Sequence, residues 1–401
     1  MKKTLIRWMA ILLSVLLLPL GIGSASAEEI LQISTESSSA VSDLGIEDGA
    51  LKLNCQSAIL MEATTGAVIY AQNADKALPP ASVTKIMTLL LIMEAIDSGS
   101  VRLENTVSVS ANAASMGGSQ VYLKEGEQMS VEDLLKSVVI ASANDAAVAL
   151  AEYVCGSVNA FVERMNAKAR MLGMKSTAFE NVTGLDDTAE NHLTSARDIA
   201  IMSRELIKHP TILKYSSIWM DTIRNGEFGL TNTNRLVRFY RGCTGLKTGS
   251  TSKAGFCVSV TAERDGFSLI CVIMGAESRD IRNAEAAELL DWGFANYGLY
   301  TQATGTLPPM AVKGGVKDRC ELAYPSFSAV LPKGDIPTVK QTVSLPEELI
   351  APVGAGDKVG SITFHSNGKP IGEISVIAAE SVVKINFFQI FERMIAKFLL
   401  I

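Results

Sequence analysis

The sequence predicts an α/β fold: an antiparallel sheet with a helical block, then a small all-β domain and a C-terminal amphipathic helix. Three observations predict it. Strand-like segments near residues 57–72 are followed by a long helical stretch, and strand character returns over 242–275 before one last helix. After about Tyr300 the composition shifts to Gly, Pro, Val and Thr with short alternating runs. From Lys384 to Ile401 the pattern changes again, to a helical period with sharply divided faces.

Taken in order, the chain opens with Lys2, Lys3 and Arg7, an apolar run from Trp8 to Gly23, and small residues ending at Ala27. That is the pattern of a signal peptide over 1–27. An uncleaved anchor is the competing reading, against which Pro19, Gly21 and Gly23 interrupt the run. Residues 28–44 are Ser-rich and polar, a flexible leader. A first large domain is expected over 45–300. In it "SAILMEATTGAVIYAQNAD" reads as two strands around Thr64-Thr65-Gly66. The stretch from Val83 to Ile96 is apolar on every face, so it predicts a buried helix. Ser130 to Asp133 forms a capping box before "LLKSVVIA". Helices follow at 145–154, 159–173 and 194–209, the last with Thr194 as its N-cap and a stop before Pro210. "GLKTG", "AGFCVSVTA" and "FSLICVIMGA" then read as strands, with a helix over 284–297.

Residues 301–380 predict a separate β domain, with "SNGKP" as a turn. In the tail, 381–401, Phe387, Phe388, Ile390, Phe391, Met394, Ile395, Phe398 and Leu399 share one half of the helical cylinder. Asn386, Gln389, Glu392, Arg393 and Lys397 share the other, while Ile385 and Leu400 fall outside the apolar half. The charged half excludes a bilayer span. It predicts a helix lying in a membrane interface, with Lys384, Arg393 and Lys397 each adding about 1 kcal/mol of attraction to anionic lipid. An amphipathic helix docked on the protein is the alternative.

The formal charge is −6, and loss of the basic leader takes it to −9, with 33 basic against 42 acidic residues. An acidic chain without a basic patch argues against nucleic acid as a partner. Six cysteines occur without a C-x-x-C pair, and the three histidines are far apart, so no metal or other cofactor is expected. Cys243, Cys257 and Cys271 are spaced so that turns near Ser250 and Arg264 would make them cross-strand neighbours. The other reading is three small buried hydrophobes.

The chemistry sits at the head of the buried helix. Pro79 and Pro80 place its start at or just after Pro80, so Ser82 lies in the first turn and Lys85 projects from the same face. A serine hydroxyl is a weak nucleophile without a base in reach. Burial makes a lysine such a base by disfavouring its ammonium form. The helix N-terminus favours negative charge on the Ser82 oxygen. Alone, S-x-x-K is a weak signal. Two further triplets follow it: Ser142-Ala143-Asn144, in a small-residue break between helices, and Lys247-Thr248-Gly249 on a strand. The three in this order are the signature of penicillin-binding proteins and serine β-lactamases.

With "PPASVTKIMT", "IASANDAAVALAE", "MKSTAFENVTGLDD", "TSARDIAIMSREL", "GLKTGSTSKAGF" and "RNAEAAELLDWGF", the chain resembles the D-alanyl-D-alanine carboxypeptidase family of low-molecular-mass penicillin-binding proteins. The resemblance covers roughly 45–380, and the sporulation members of Gram-positive bacteria read most like it. It implies a β-lactamase/transpeptidase-like domain acting outside the cytoplasmic membrane on peptidoglycan stem peptides ending in D-Ala-D-Ala, with β-lactams as covalent inhibitors. It implies Ser82 as nucleophile, Lys85 as general base, Ser142 as proton relay near Lys247, and Asn144 as the residue holding Lys85 and the substrate amide. The N–H groups of Ser82 and Ser250 would form the oxyanion hole. Thr248 and Arg282 would bind the terminal carboxylate, beside Gly249. Ser250 is a departure, because well-known members carry histidine or an aromatic there. A β-lactamase and a catalytically inactive peptidoglycan-binding protein stay open as alternatives. No E-x-x-L-N segment is present, although Glu180-Asn181 falls at a comparable distance after Ser142.

Overall fold

The computed structural model describes residues 51–186 and 189–399. The expected leader over 1–44 lies outside them. Two compact units result: one holds the described residues from 51 to 300 together with 328–337, the other holds 301–327 and 338–399. The segment 328–337 thus groups with the first unit, where Val330 joins an apolar cluster.

The first unit is built on a five-stranded antiparallel sheet. Its strands are β1 (Ser57–Glu62), β2 (Val68–Gln72), β3 (Cys243–Thr251), β4 (Gly255–Arg264) and β5 (Phe267–Ala276), in the spatial order β2-β1-β5-β4-β3. The sheet is covered on both faces, which is why β1 and β5 are apolar almost throughout. Side chains alternate across a strand. Ile59, Met61, Ile270, Val272 and Met274 therefore face the helical block, whereas Ala58, Leu60, Leu269, Cys271 and Ile273 meet Leu289, Leu290 and Phe294 of the final helix. That helix spans Arg279–Asn296, starting earlier than the sequence pattern indicates because Ser278 caps it.

The helical block contains α1 (Lys85–Asp97), α2 (Val131–Ala141), α3 (Asn144–Cys155), α4 (Val158–Met171) and α5 (Ala196–Leu206). Helix α1 is buried on nearly every side. Ser130 caps α2 through the Asp133 N–H, as its sequence indicates. The cap of α5 is Ser195, not Thr194. Thr194 instead pairs its backbone with Leu78, so it belongs to the preceding extended segment. Pro210 opens a further short helix, Pro210–Ser216, that the pattern did not reveal.

The cysteines do not align. Strand β3 continues to Thr251, so Cys257 pairs with Gly249 and Cys243 with Ala262, while Cys271 pairs with Val260. All six thiols are free.

The second unit contains a six-stranded sheet whose longest pair, Lys358–Ser366 and Lys369–Ala378, turns at Asn367-Gly368. Both turn residues have positive φ, as the tight hairpin requires. The chain then forms a helix, Phe387–Leu399. Arg393, on its polar half, donates to the carbonyls of Gly315 and Val316 and pairs with Asp318 at 3.0 Å. The apolar half faces outward: Phe387, Phe388, Phe391, Met394 and Phe398 are 56–90% exposed.

Candidate active site

Ser82 sits on a 3₁₀ turn, Ala81–Thr84, that leads directly into α1. Ala81 has φ 49°, a strained value for a residue with a Cβ, immediately before the serine. Lys85 is fully buried, and its Nζ lies 3.0 Å from Ser82 Oγ, 2.6 Å from Asn144 Oδ1 and 2.8 Å from the Thr183 carbonyl. This set of neighbours decides what the amine can do. As an ammonium it donates to all three. Once it loses a proton, two N–H bonds remain for Asn144 and Thr183, and the lone pair is left pointing at Ser82. Burial drives Lys85 well below the usual lysine range, the charge of Lys247 pushes the same way, and Asp145 opposes them.

Ser142 ends α2 in the left-handed conformation at φ 62°, and Ala143 is the extended residue just before α3. This break turns Asn144 toward Lys85. The Asn144 amide is fixed from both sides, since its Nδ2 donates to the Gly117 carbonyl at 2.7 Å and its backbone N–H donates to Ser119 at 2.7 Å. Asp145, also buried, accepts from the N–H groups of Val121, Leu123 and Ala146 and so ties the 117–123 loop to the same helix start.

Strand β3 closes the other side. Lys247 is 1% exposed and donates to the Thr248 carbonyl; burial, and then the charge of Arg282, bring it down to about 7. Gly249 lies against the serine turn so closely that a Cβ there would stand 2.7 Å from Ser82 N and 2.9 Å from Val83 N. A matching contact comes from the loop: a Cβ on Gly184 would sit 1.8 Å from the Ala81 carbonyl oxygen. The turn is held between two glycines. Thr248 donates to Thr233 Oγ1 at 2.8 Å, and Thr251 beyond it donates to Asp186. Ser250 is exposed. Arg282 is 2% exposed and donates to the Cys257 carbonyl and to Asn283 Oδ1. Cys257 is the cross-strand partner of Gly249, so the guanidinium lies one strand behind β3.

The structure therefore brings Ser82, Lys85 and Asn144 into direct contact, seats Gly249 against them, and places Lys247 and Arg282 within electrostatic reach of one another. It gives no hydrogen bond between Ser142 and Lys247. Sequence reasoning missed the Thr183 carbonyl, Asp145 and Thr233. The first is a backbone group, which no side-chain motif advertises. Asp145 directly follows Asn144 and was visible as an acid in an otherwise apolar helix start. Among the described residues no group of three His, Cys, Asp or Glu side chains is placed to hold a metal ion.

A sheet of this order, carrying the S-x-x-K turn between a helical block and a K-T-G strand, defines the penicillin-binding class of serine peptidases. The chain belongs to the D-alanyl-D-alanine carboxypeptidase family: that family's model matches residues 45–278, and the C-terminal domain of penicillin-binding protein 5 matches 311–384. It is 39% identical to the D-alanyl-D-alanine carboxypeptidase DacF of Bacillus subtilis, over 87% of this chain and 91% of that one. Among solved structures, penicillin-binding protein 5 from Haemophilus influenzae superposes with a TM-score of 0.76 at 31% identity, covering 85% of this chain and all of the other. Penicillin-binding protein D2 from Listeria monocytogenes in its ampicillin-bound form superposes with a TM-score of 0.56 at 32% identity, covering 61% and 99%.

Proposed function

We propose that this protein is a serine-type carboxypeptidase that removes the terminal D-alanine from peptidoglycan stem peptides through an acyl-enzyme on Ser82. The observation that carries the reading is the three-way environment of the Lys85 amine, which leaves its lone pair only Ser82 to address. Ser82 Oγ attacks the carbonyl between the two D-alanines, and its proton passes to Lys85 Nζ. The oxygen that gains charge is received by the N–H groups of Ser82 and Ser250. A single donor of this kind is worth about 2.7–4 kcal/mol to the transition state. The C–N bond to the terminal D-alanine then breaks, and its nitrogen takes the proton that left Ser82, passed on from Lys85 through Ser142 and Lys247, so that Lys85 is neutral again. Water hydrolyses the remaining ester and returns Ser82. The substrate's carboxylate falls to Thr248, which turns its hydroxyl from Thr233 to donate, and to the charge that Arg282 places one strand behind β3. The depressed Lys247 supports a relay role, since a group near 7 both gives and takes protons at neutral pH.

Penicillins enter by the same attack, with the ring amide in place of the peptide bond. The ampicillin-bound relative supports that reading. The protein works outside the cytoplasm, where peptidoglycan is. The tail helix holds it on the membrane surface, a placement favoured by the outward apolar half and the docked polar half. Arg393 is already paired with Asp318, so it adds less to the attraction to anionic lipid than an unpaired cation would.

The test is an intact-mass time course with benzylpenicillin on the wild-type protein and Ser82→Ala. A lasting adduct on the wild type alone, followed by D-alanine release from a pentapeptide, is the expected result. An adduct on Ser82→Ala, or rapid loss of penicillin without an adduct, would overturn the assignment.

A further inference from the structure

We infer that His192 is a positioning residue for the acylation step: its neutral ring locks the turn carrying Ser82 to the loop whose carbonyl aims Lys85. The inference rests on the roles of Ser82 and Lys85 given above.

The hydrogen bonds fix the tautomer. Nδ1 faces the Glu180 backbone N–H at 3.0 Å and therefore accepts. Nε2 carries the hydrogen and meets Thr84 Oγ1 at 2.7 Å. Thr84 commits its own hydroxyl hydrogen to the Ala81 carbonyl at 2.9 Å, so its oxygen is left to accept from the histidine. Both Thr84 and His192 are buried. Phe179 holds the ring edge to face, with centroids 5.7 Å apart. Burial takes His192 down to about 4 against the pull of Glu180 and Asp186, which keeps it neutral near pH 7.

The two ends of this bridge explain its importance. Thr84 stands between Ser82 and Lys85 in the sequence, on the turn itself, and its bond to Ala81 secures the strained residue next to the serine. Glu180 begins the segment that ends at Thr183. Asn181 Oδ1 accepts from the N–H groups of Thr183 and Gly184, at 3.1 and 2.6 Å, so any displacement at Glu180 is passed to the Thr183 carbonyl. That carbonyl receives one of the two hydrogens that a neutral Lys85 retains. If turn and loop slip past one another, the lone pair no longer faces Ser82. A misplacement of about 1 Å can cost about 100-fold in rate.

The experiment measures benzylpenicillin acylation of the full chain, separating the rate constant at saturation from the binding constant. The variants are His192→Asn, Thr84→Val, their combination, and Thr84→Ser. His192→Asn keeps an acceptor for Glu180 but loses the donor to Thr84. The saturating rate is expected to fall about tenfold or more in each of the first two, with binding unchanged. Thr84→Ser, which retains the hydroxyl, should recover most of that rate. The double variant should be no slower than the slower single one, because both break the same His192–Thr84 bond and Thr84→Val already includes the loss of the bond to Ala81. Rates within twofold of wild type, losses that multiply, or a change in binding alone would overturn the inference, even with a lowered melting temperature. If His192→Asn does not fold, the Thr84 pair decides, and equal rates for Val and Ser sink the idea. Wild-type protein that forms no adduct on Ser82 would instead remove the earlier assignment, and with it the step that His192 serves.

Discussion

The serine turn and the tail helix treat burial in opposite ways. Around Ser82, charged and polar groups are taken out of water: Lys85, Asn144, Asp145, Lys247 and Arg282 are each 2% exposed or less. Along Phe387–Leu399, large apolar groups are left in it. Neither arrangement maximises stability, since an interior favours apolar side chains and a surface polar ones. The difference teaches where to look for function. Buried cations have their proton affinities altered by the same desolvation that makes them costly. Outward phenylalanines leave apolar surface in water, which is what the proposed membrane contact would cover.

The largest way to sharpen this contrast is Lys247→Met. Lys247 has a folded value of about 7 against 10.5 when exposed, so between those limits the unfolded chain binds more protons than the native one. Stability carried by this group therefore rises with pH across that window and is lost as pH falls toward 7. Removing the amine should abolish acylation while making the protein more stable at pH 7, by roughly 2–5 kcal/mol. The gain should vanish near pH 10.5. Chemical denaturation at several pH values checks this, and a destabilised variant at pH 7 would break the comparison. Next is Gly249→Ala, whose methyl group collides with the backbone of the serine turn. Acylation by benzylpenicillin should drop about 100-fold, and a rate within threefold would show that the turn yields freely. The smallest effect on stability belongs to the tail. Phe391→Ala should alter unfolding by no more than about 0.5 kcal/mol, yet weaken binding to anionic vesicles about tenfold. Unchanged sedimentation with vesicles would refute the membrane reading.

Much of the fold was legible because local patterns and tertiary packing agree. Ser130 caps its helix, the 57–72 hairpin forms, and "FSLICVIMGA" is a strand buried on both faces. Errors arose where a choice between neighbours was settled at long range. Thr194 and Ser195 are both good caps, and the pairing of Thr194 with Leu78 decided between them. The cysteine register failed because β3 runs on to Thr251 past the expected turn. In the candidate site, Ser82, Lys85 and Asn144 were readable as side chains at fixed spacings. Thr183 and His192 were not, since one acts through its backbone and the other joins residues 108 apart in sequence.

The contacts of Gly184 and Gly249 have a consequence for antibiotic escape. They squeeze the serine turn before any ligand arrives, so under the mechanism proposed above a substitution at either glycine would damage the attack on cell-wall peptide and on drug alike. Selection for resistance gains nothing there. Discrimination between the two compounds has to come from groups that touch what differs between them, and Ser250, one residue beyond Gly249, is exposed and free of that squeeze.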